Sequence, residues 1–167
     1  MAGSKAWPDL VCRPLTAPGT DARELFGFAG AWAPPAAAVE AGWGTWDGSR
    51  LIGALLVERA GAAAMLHGPV VVAPPAMEAD AALEVAARLV ADALSHASSR
   101  KIETLFARPQ GLDRVWIRSG FIPLPEAALT EELRGRPGLG LFAWRGGSAL
   151  WSAAARGTAN RTPRAER

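Results

Sequence analysis

Residues 64–94 read AMLHGPVVVAPPAMEADAALEVAARLVADAL, and the change of period inside this stretch decides the fold. Up to Val72 it reads as a strand, which Pro74-Pro75 brings to an end. Beyond the prolines, Leu83, Ala86, Ala87, Val90, Ala93 and Leu94 recur at helical spacing and form one apolar stripe. Glu78 and Asp80 fall in the first turn of that helix, where carboxylates suit the positive end of the macrodipole. The pattern fades near Ser98-Ser99, and residues 102–107 follow as a second strand. Strand, long helix and strand in this order make one βαβ crossover.

Working outward, residues 42–46 and 50–59 flank Asp47-Gly48 as a hairpin, and Ala60-Gly61 turns the chain into the strand that ends at Val72. Three antiparallel strands in a meander result. Upstream, residues 10–15 form a first strand that stops at Pro18-Gly19. Thr20 or Asp21 then caps a helix through about Trp32, with Ala22, Leu25, Phe26 and Ala29 on one face. Pro34-Pro35 ends it, and a short alanine-rich turn leads to Ala41. Downstream, residues 112–119 make a short helix that stops at Gly120, and residues 121–124 and 139–144 close the sheet across a loop over 126–137. The expected class is α/β (α+β), a central mixed, mostly antiparallel sheet flanked by helices, with one βαβ crossover.

The 167 residues suit a single domain, expected over 1–147, followed by a basic, unstructured tail over 148–167. That tail carries Arg156, Arg161, Arg164 and Arg167 against Glu166, so the formal net charge of +2 belongs to it and not to a basic face of the fold. Leu150 and Trp151 beside Arg156 offer a protein partner an anchor with a charged flank, whereas a nucleic-acid partner is not expected. The single Cys12 forms no internal disulfide, residues 1–10 lack the apolar core of a secretory signal, and no apolar run approaches a membrane span. A cytoplasmic protein with no membrane partner is expected. Two histidines and one cysteine, far apart, give no metal-ligand spacing. Seven tryptophans and no tyrosine exclude a phenol as proton donor.

Two stretches point to a family. Val72-Ala73-Pro74 leads through residues 77–82 into the long helix, and Val115-Trp116-Ile117-Arg118-Ser119-Gly120-Phe121 ends a short helix in Gly-Phe before a strand. With the element order over residues 10–144, these resemble the GNAT superfamily of acyl-CoA-dependent N-acetyltransferases. The resemblance implies acetyl-CoA as co-substrate. Backbone N–H groups over Met77, Glu78, Ala79, Asp80, Ala81 and Ala82 would hold its pyrophosphate, because a helix N-terminus attracts anions. Its pantetheine arm would run along Val70, Val71 and Val72. Against the family's Arg/Gln-x-x-Gly-x-Gly/Ala loop this chain has Met77, Asp80 and Ala82, and where many members keep a tyrosine acid it has Trp116, which the resemblance counts among the cofactor contacts. An indole N–H donates a hydrogen bond but supplies no proton near neutral pH.

Attack of an amine on a thioester needs a proton acceptor and donors for the developing oxyanion. Val70 to Val72 are candidates for the donor. His67 is the candidate base, since its ordinary pKa lies near neutrality, and Glu58 on the preceding strand is the second candidate. Glu103 is a third titratable residue near the expected cleft. Trp32 and Trp43 either line an acceptor pocket or belong to the core. Two functions are carried forward. One is a GNAT-type acyltransferase acting on the amine of a small molecule. The other, motivated by Met77, Asp80 and Trp116, is a catalytically inactive interaction subunit of the same fold whose tail binds a protein.

Overall fold

The meander forms the centre of the structure, a computed structural model that describes residues 10–146. The tail with Leu150, Trp151 and Arg156 therefore lies outside the described residues. β1 (Leu10–Pro14), β2 (Val39–Asp47), β3 (Arg50–Ala60) and β4 (Ala63–Val71) pair antiparallel in chain order. β5 (Thr104–Ala107) joins β4 in parallel. β6 (Ile122–Pro123) and β7 (Phe142–Arg145) complete a seven-stranded sheet of order β1-β2-β3-β4-β5-β7-β6.

The helix expected from Thr20 to Trp32 is instead two short ones, α1 (Pro18–Asp21) and α2 (Arg23–Phe28). Gly30 takes a φ of +67°, a left-handed conformation that ends a right-handed helix well before Trp32. The alanine-rich turn is a single 3-10 turn, and β2 begins at Val39 rather than Gly42. α3 (Ala79–Ser99) starts later than Pro74-Pro75 suggested, because residues 74–77 close their own turn through Met77 N–H to the Pro74 carbonyl at 2.8 Å. α4 (Asp113–Arg118) stops just short of Gly120, which has a φ of +90°.

The two faces of the sheet are covered differently. α3 and α4 cover one face: Val85, Leu89, Val90 and Ala93 pack with Ile52, Leu55, Val57 and Leu66, and Val115 and Trp116 extend the same core. Burying each large aliphatic side chain here stabilises by about 1.5–3 kcal/mol. The opposite face carries two smaller apolar patches. α1 and α2 bring Leu25 and Phe26 onto Ala54, Leu56 and Val70, while the segment between β6 and β7 brings Leu129, Leu133 and Leu141 onto Met65 and Phe106. His67 and Glu58 lie between the two patches. No helix among the described residues is long and apolar enough to cross a membrane.

Candidate active site

β4 and β5 are partners only along part of their length. Their register runs from Ala63↔Thr104 to Leu66↔Ala107, after which β4 continues to Val71 with no partner on that side. A bulge sits where they part. Ala54 pairs with Val70 and Leu56 with His67, so Leu55 alone faces Gly68 and Pro69. Bulges bend a strand and increase its twist, which separates the continuing half of β4 from β5. The residue at the bend must be glycine. Gly68 has a φ of +94°, and a Cβ there would stand 2.9 Å from both the Ala54 carbonyl oxygen and the Val70 nitrogen.

Residues 67–71 therefore line an open edge. Val72 donates its N–H to the Ile52 carbonyl at 2.7 Å, on the β3 side. Backbone groups of successive strand residues face opposite edges, so Val70 also turns toward β3 and Val71 toward the split. Of the three valines expected to offer a donor, Val70 and Val72 are removed and Val71 remains.

The structure brings His67 and Glu58 together on the sheet face that α1 and α2 cover. His67 Nε2 lies 2.9 Å from Glu58 Oε1, and the residues are only 5% and 6% exposed. Arg136, from the segment between β6 and β7, donates to the same carboxylate through Nε at 3.1 Å and Nη2 at 2.5 Å. Burial would raise the Glu58 carboxyl, but the hydrogen bonds and charges of Arg136 and His67 outweigh it and hold the group below its ordinary range. Burial pushes His67 down more than Glu58 lifts it, and the Arg136 charge adds to the lowering. At neutral pH the pair is thus a carboxylate and a neutral imidazole. A carboxylate only accepts, so Nε2 carries the hydrogen and Nδ1 the lone pair. Among the described residues Nδ1 makes no hydrogen bond. The indole of Trp32 stands 5.2 Å from the imidazole, centroid to centroid, and is 43% exposed.

Arg108 lies directly across the split. It follows Ala107 as His67 follows Leu66, and since Leu66 and Ala107 both face α3, His67 and Arg108 both face the other way. Its guanidinium, in a residue 5% exposed, forks onto Glu126 at 2.5 and 2.8 Å and donates to the carbonyls of Gly140 (2.9 Å) and Arg136 (3.2 Å). Neither Arg108 nor Arg136 carries a sequence signal. Each is one of many arginines, and it takes the β4–β5 register to set Arg108, and the return of the chain between β6 and β7 to set Arg136, beside β4.

The remaining expected residues fall elsewhere. Trp116 is wholly buried, donates its N–H to the Pro109 carbonyl at 3.0 Å, and packs on Phe121 with ring centroids 5.0 Å apart. It has no surface to offer a ligand, which corrects its assignment as a cofactor contact. Met77 likewise is buried in the core. Glu78 is the N-cap of α3 and makes no side-chain cap hydrogen bond, and Ala82 spends its N–H on the Glu78 carbonyl at 3.1 Å. The N–H groups of Ala79, Asp80 and Ala81 precede that first helical bond and are left without helical acceptors. Both Glu78 and Asp80 are exposed. Glu103 is exposed at the far end of β5, and Trp43 belongs to the core beside His96.

No protein-family model and no curated protein matches the sequence. Solved structures do match. An acetyltransferase from Streptococcus agalactiae superimposes with a TM-score of 0.61 at 9% identity, over 83% of this chain and 99% of that one. N-acetylglutamate synthase from Neisseria gonorrhoeae, in complex with coenzyme A and N-acetyl-glutamate, gives a TM-score of 0.59 at 16% identity over 81% of this chain. This chain spans only 35% of the length of that synthase. The ribosomal-protein-S18-alanine N-acetyltransferase from Escherichia coli gives 0.54 at 13% identity, over 81% of this chain and 93% of the other. Sheet order, the parting of β4 from β5 and these likenesses agree: the chain has the fold of the GNAT acetyltransferases.

Proposed function

We propose that the chain is a cytoplasmic acyltransferase that moves an acetyl group from acetyl-CoA to the amine of a small molecule. One observation carries this reading: a buried, neutral histidine, oriented by a carboxylate, stands where β4 leaves β5. When bound, acetyl-CoA supplies a thioester carbonyl. The free edge over residues 67–71 suits a pantetheine arm, and the N–H groups of Ala79, Asp80 and Ala81 suit its pyrophosphate. The exposed carboxylates of Glu78 and Asp80 weaken that anion site, each by an amount on the order of 1 kcal/mol in high dielectric.

His67 Nδ1 takes the proton of the attacking amine, and Glu58 steadies the imidazolium that forms. Arg136 keeps Glu58 ionised. The Val71 N–H is placed to donate to oxygen that gains charge. No side chain is assigned as acid, and none is required: a thiol with a pKa near 8.5 is a good leaving group that water can reprotonate.

Calorimetry with acetyl-CoA tests the reading. Binding heat and a raised melting temperature are expected, and acetylation of small amines is expected to depend on His67. Absence of heat at millimolar acetyl-CoA would overturn the transferase and favour the interaction subunit.

A further inference from the structure

Arg108 is a buried cation whose anionic partner is not buried. The Glu126 side chain is 60% exposed and stands on a single 3-10 turn, Glu126–Ala128. It reaches the guanidinium end-on and bidentate, so the fork opens toward solvent at that end. The other two bonds of Arg108 go to main-chain carbonyls, and its Nε is buried with no partner among the described residues. Gly138 packs onto the same side chain, where a Cβ would come within 2.9 Å of Arg108 Cγ. The guanidinium is thus held from behind by main-chain carbonyls and by Gly138, and met in front by an exposed carboxylate. It shares its sheet face with His67 and stands across the split from it. Arg136 links the two, with its carbonyl on Arg108 and its guanidinium on Glu58.

We infer that the Arg108 fork is the carboxylate subsite of the acyl acceptor, which is then an amino acid or a similar small amine bearing a carboxylate, and that Glu126 occupies the fork until the acceptor displaces it. The inference rests on the transferase reading and names its substrate class. A planar, bidentate fork suits a carboxylate and gives an amide of the same shape one unfavourable N–H to N–H contact. The amine of such an acceptor is then delivered to the His67 side of the split.

The test is a panel of L-amino acids, each paired with its own carboxamide, with acetyl-CoA as donor and thiol release as the readout. The quantity followed is the ratio of kcat/KM for acid over amide. In the native chain the acid is preferred. In Glu126→Gln the ratio rises several-fold, because the competing carboxylate is gone. In Arg108→Lys, which keeps the charge and loses the fork, it falls by roughly tenfold or more. If Arg108 only clamps the loop, both variants lower acid and amide rates together and the ratio stays constant, which overturns the inference. Should Arg108→Lys fail to fold, Glu126→Gln alone decides, and an unchanged ratio there is equally fatal. If acetyl-CoA gives no binding heat, the transferase reading falls, and the same pairs are titrated by calorimetry without it. Acid-selective binding that strengthens in Glu126→Gln keeps the subsite, and its absence removes it.

Discussion

The same residue set occurs twice in this molecule. His67, Glu58, Arg136 and Trp32 form one cluster, and His96, Glu40, Arg59 and Trp43 form the other. In each, histidine Nε2 meets a glutamate oxygen, at 2.9 and 3.1 Å, and an arginine shares the carboxylate. In each an indole stands close to the imidazole, at 5.2 and 5.3 Å. What differs is access to water. The His67 and Glu58 side chains are 6% and 7% exposed, whereas His96 and Glu40 are at 15% and 31%. The first cluster spans β3, β4 and the return between β6 and β7, beside the split in the sheet. The second ties the start of β2 to the C-terminal turn of α3. Chemistry of the side chains alone does not make a site. Burial tunes the first cluster and leaves the second as a surface tie.

The comparison can be broken most directly through activity. Replacing His67 by Gln should lower kcat/KM for acetyl transfer by about 10²–10⁴, the usual worth of a positioned base. His96→Gln should leave it within about twofold, since a surface tie takes no part in proton transfer. Equal losses in steady-state assays of the two variants would mean that burial is not what separates them.

Stability gives the next largest contrast. Glu58→Gln removes the buried carboxylate that Arg136, 24% exposed, and His67 share, and should cost about 1–3 kcal/mol. Glu40→Gln breaks a partly exposed pair and should cost at most about 1 kcal/mol. Urea denaturation of both variants at neutral pH measures the difference.

Acid pH sharpens the contrast further. His67 is held below its ordinary value, so the unfolded chain binds its proton first and stability falls as pH drops below about 6.5. Glu58 is also held low, and its contribution, present above about 4.3, is lost only as pH falls through its folded value. The kcat/KM profile should therefore keep an acid limb below about 6.5, and Glu58→Gln should move that limb to still lower pH by removing the group that lifts His67. Between pH 7 and 5, His67→Gln should lose less stability than the native chain. A limb that shifts upward in Glu58→Gln contradicts the assigned pairing.

The smallest effect is that of salt. Raising ionic strength to about 1 M, where the screening length is near 3 Å, should erase most of the Glu40→Gln difference and leave most of that for Glu58→Gln. Parallel melts in low and high salt read this out.

Element order was legible in the sequence because it depends on local signals: the period change across Pro74-Pro75, the turn pairs at Asp47-Gly48 and Ala60-Gly61, and the apolar stripe from Leu83 to Leu94. The boundaries that shifted were those with competing local chemistry, such as Gly30, which cut the second helix short. His67 and Glu58 were legible as candidates because few titratable residues lie on the central strands. Their meeting follows from the register that the Ala60-Gly61 turn starts, Glu58↔Met65 and Leu56↔His67, whereas the approach of Arg136 to Glu58 from 78 residues away had no local signal. Trp116 and Met77 show the opposite limit. Their places in the family pattern suggested a site, and packing turned both into the core.

By itself, then, the sequence determined a mixed sheet with one crossover, the absence of a phenolic acid, and the residue types available for proton transfer. These follow from composition and from interactions a few residues apart. The tertiary structure alone decided which of two similar histidine–glutamate pairs is desolvated, and that Arg136 and Arg108 meet at the split. Contacts over 78 residues, as between Arg136 and Glu58, leave no periodic trace in the chain, and the dielectric around a group exists only once the chain has closed over it.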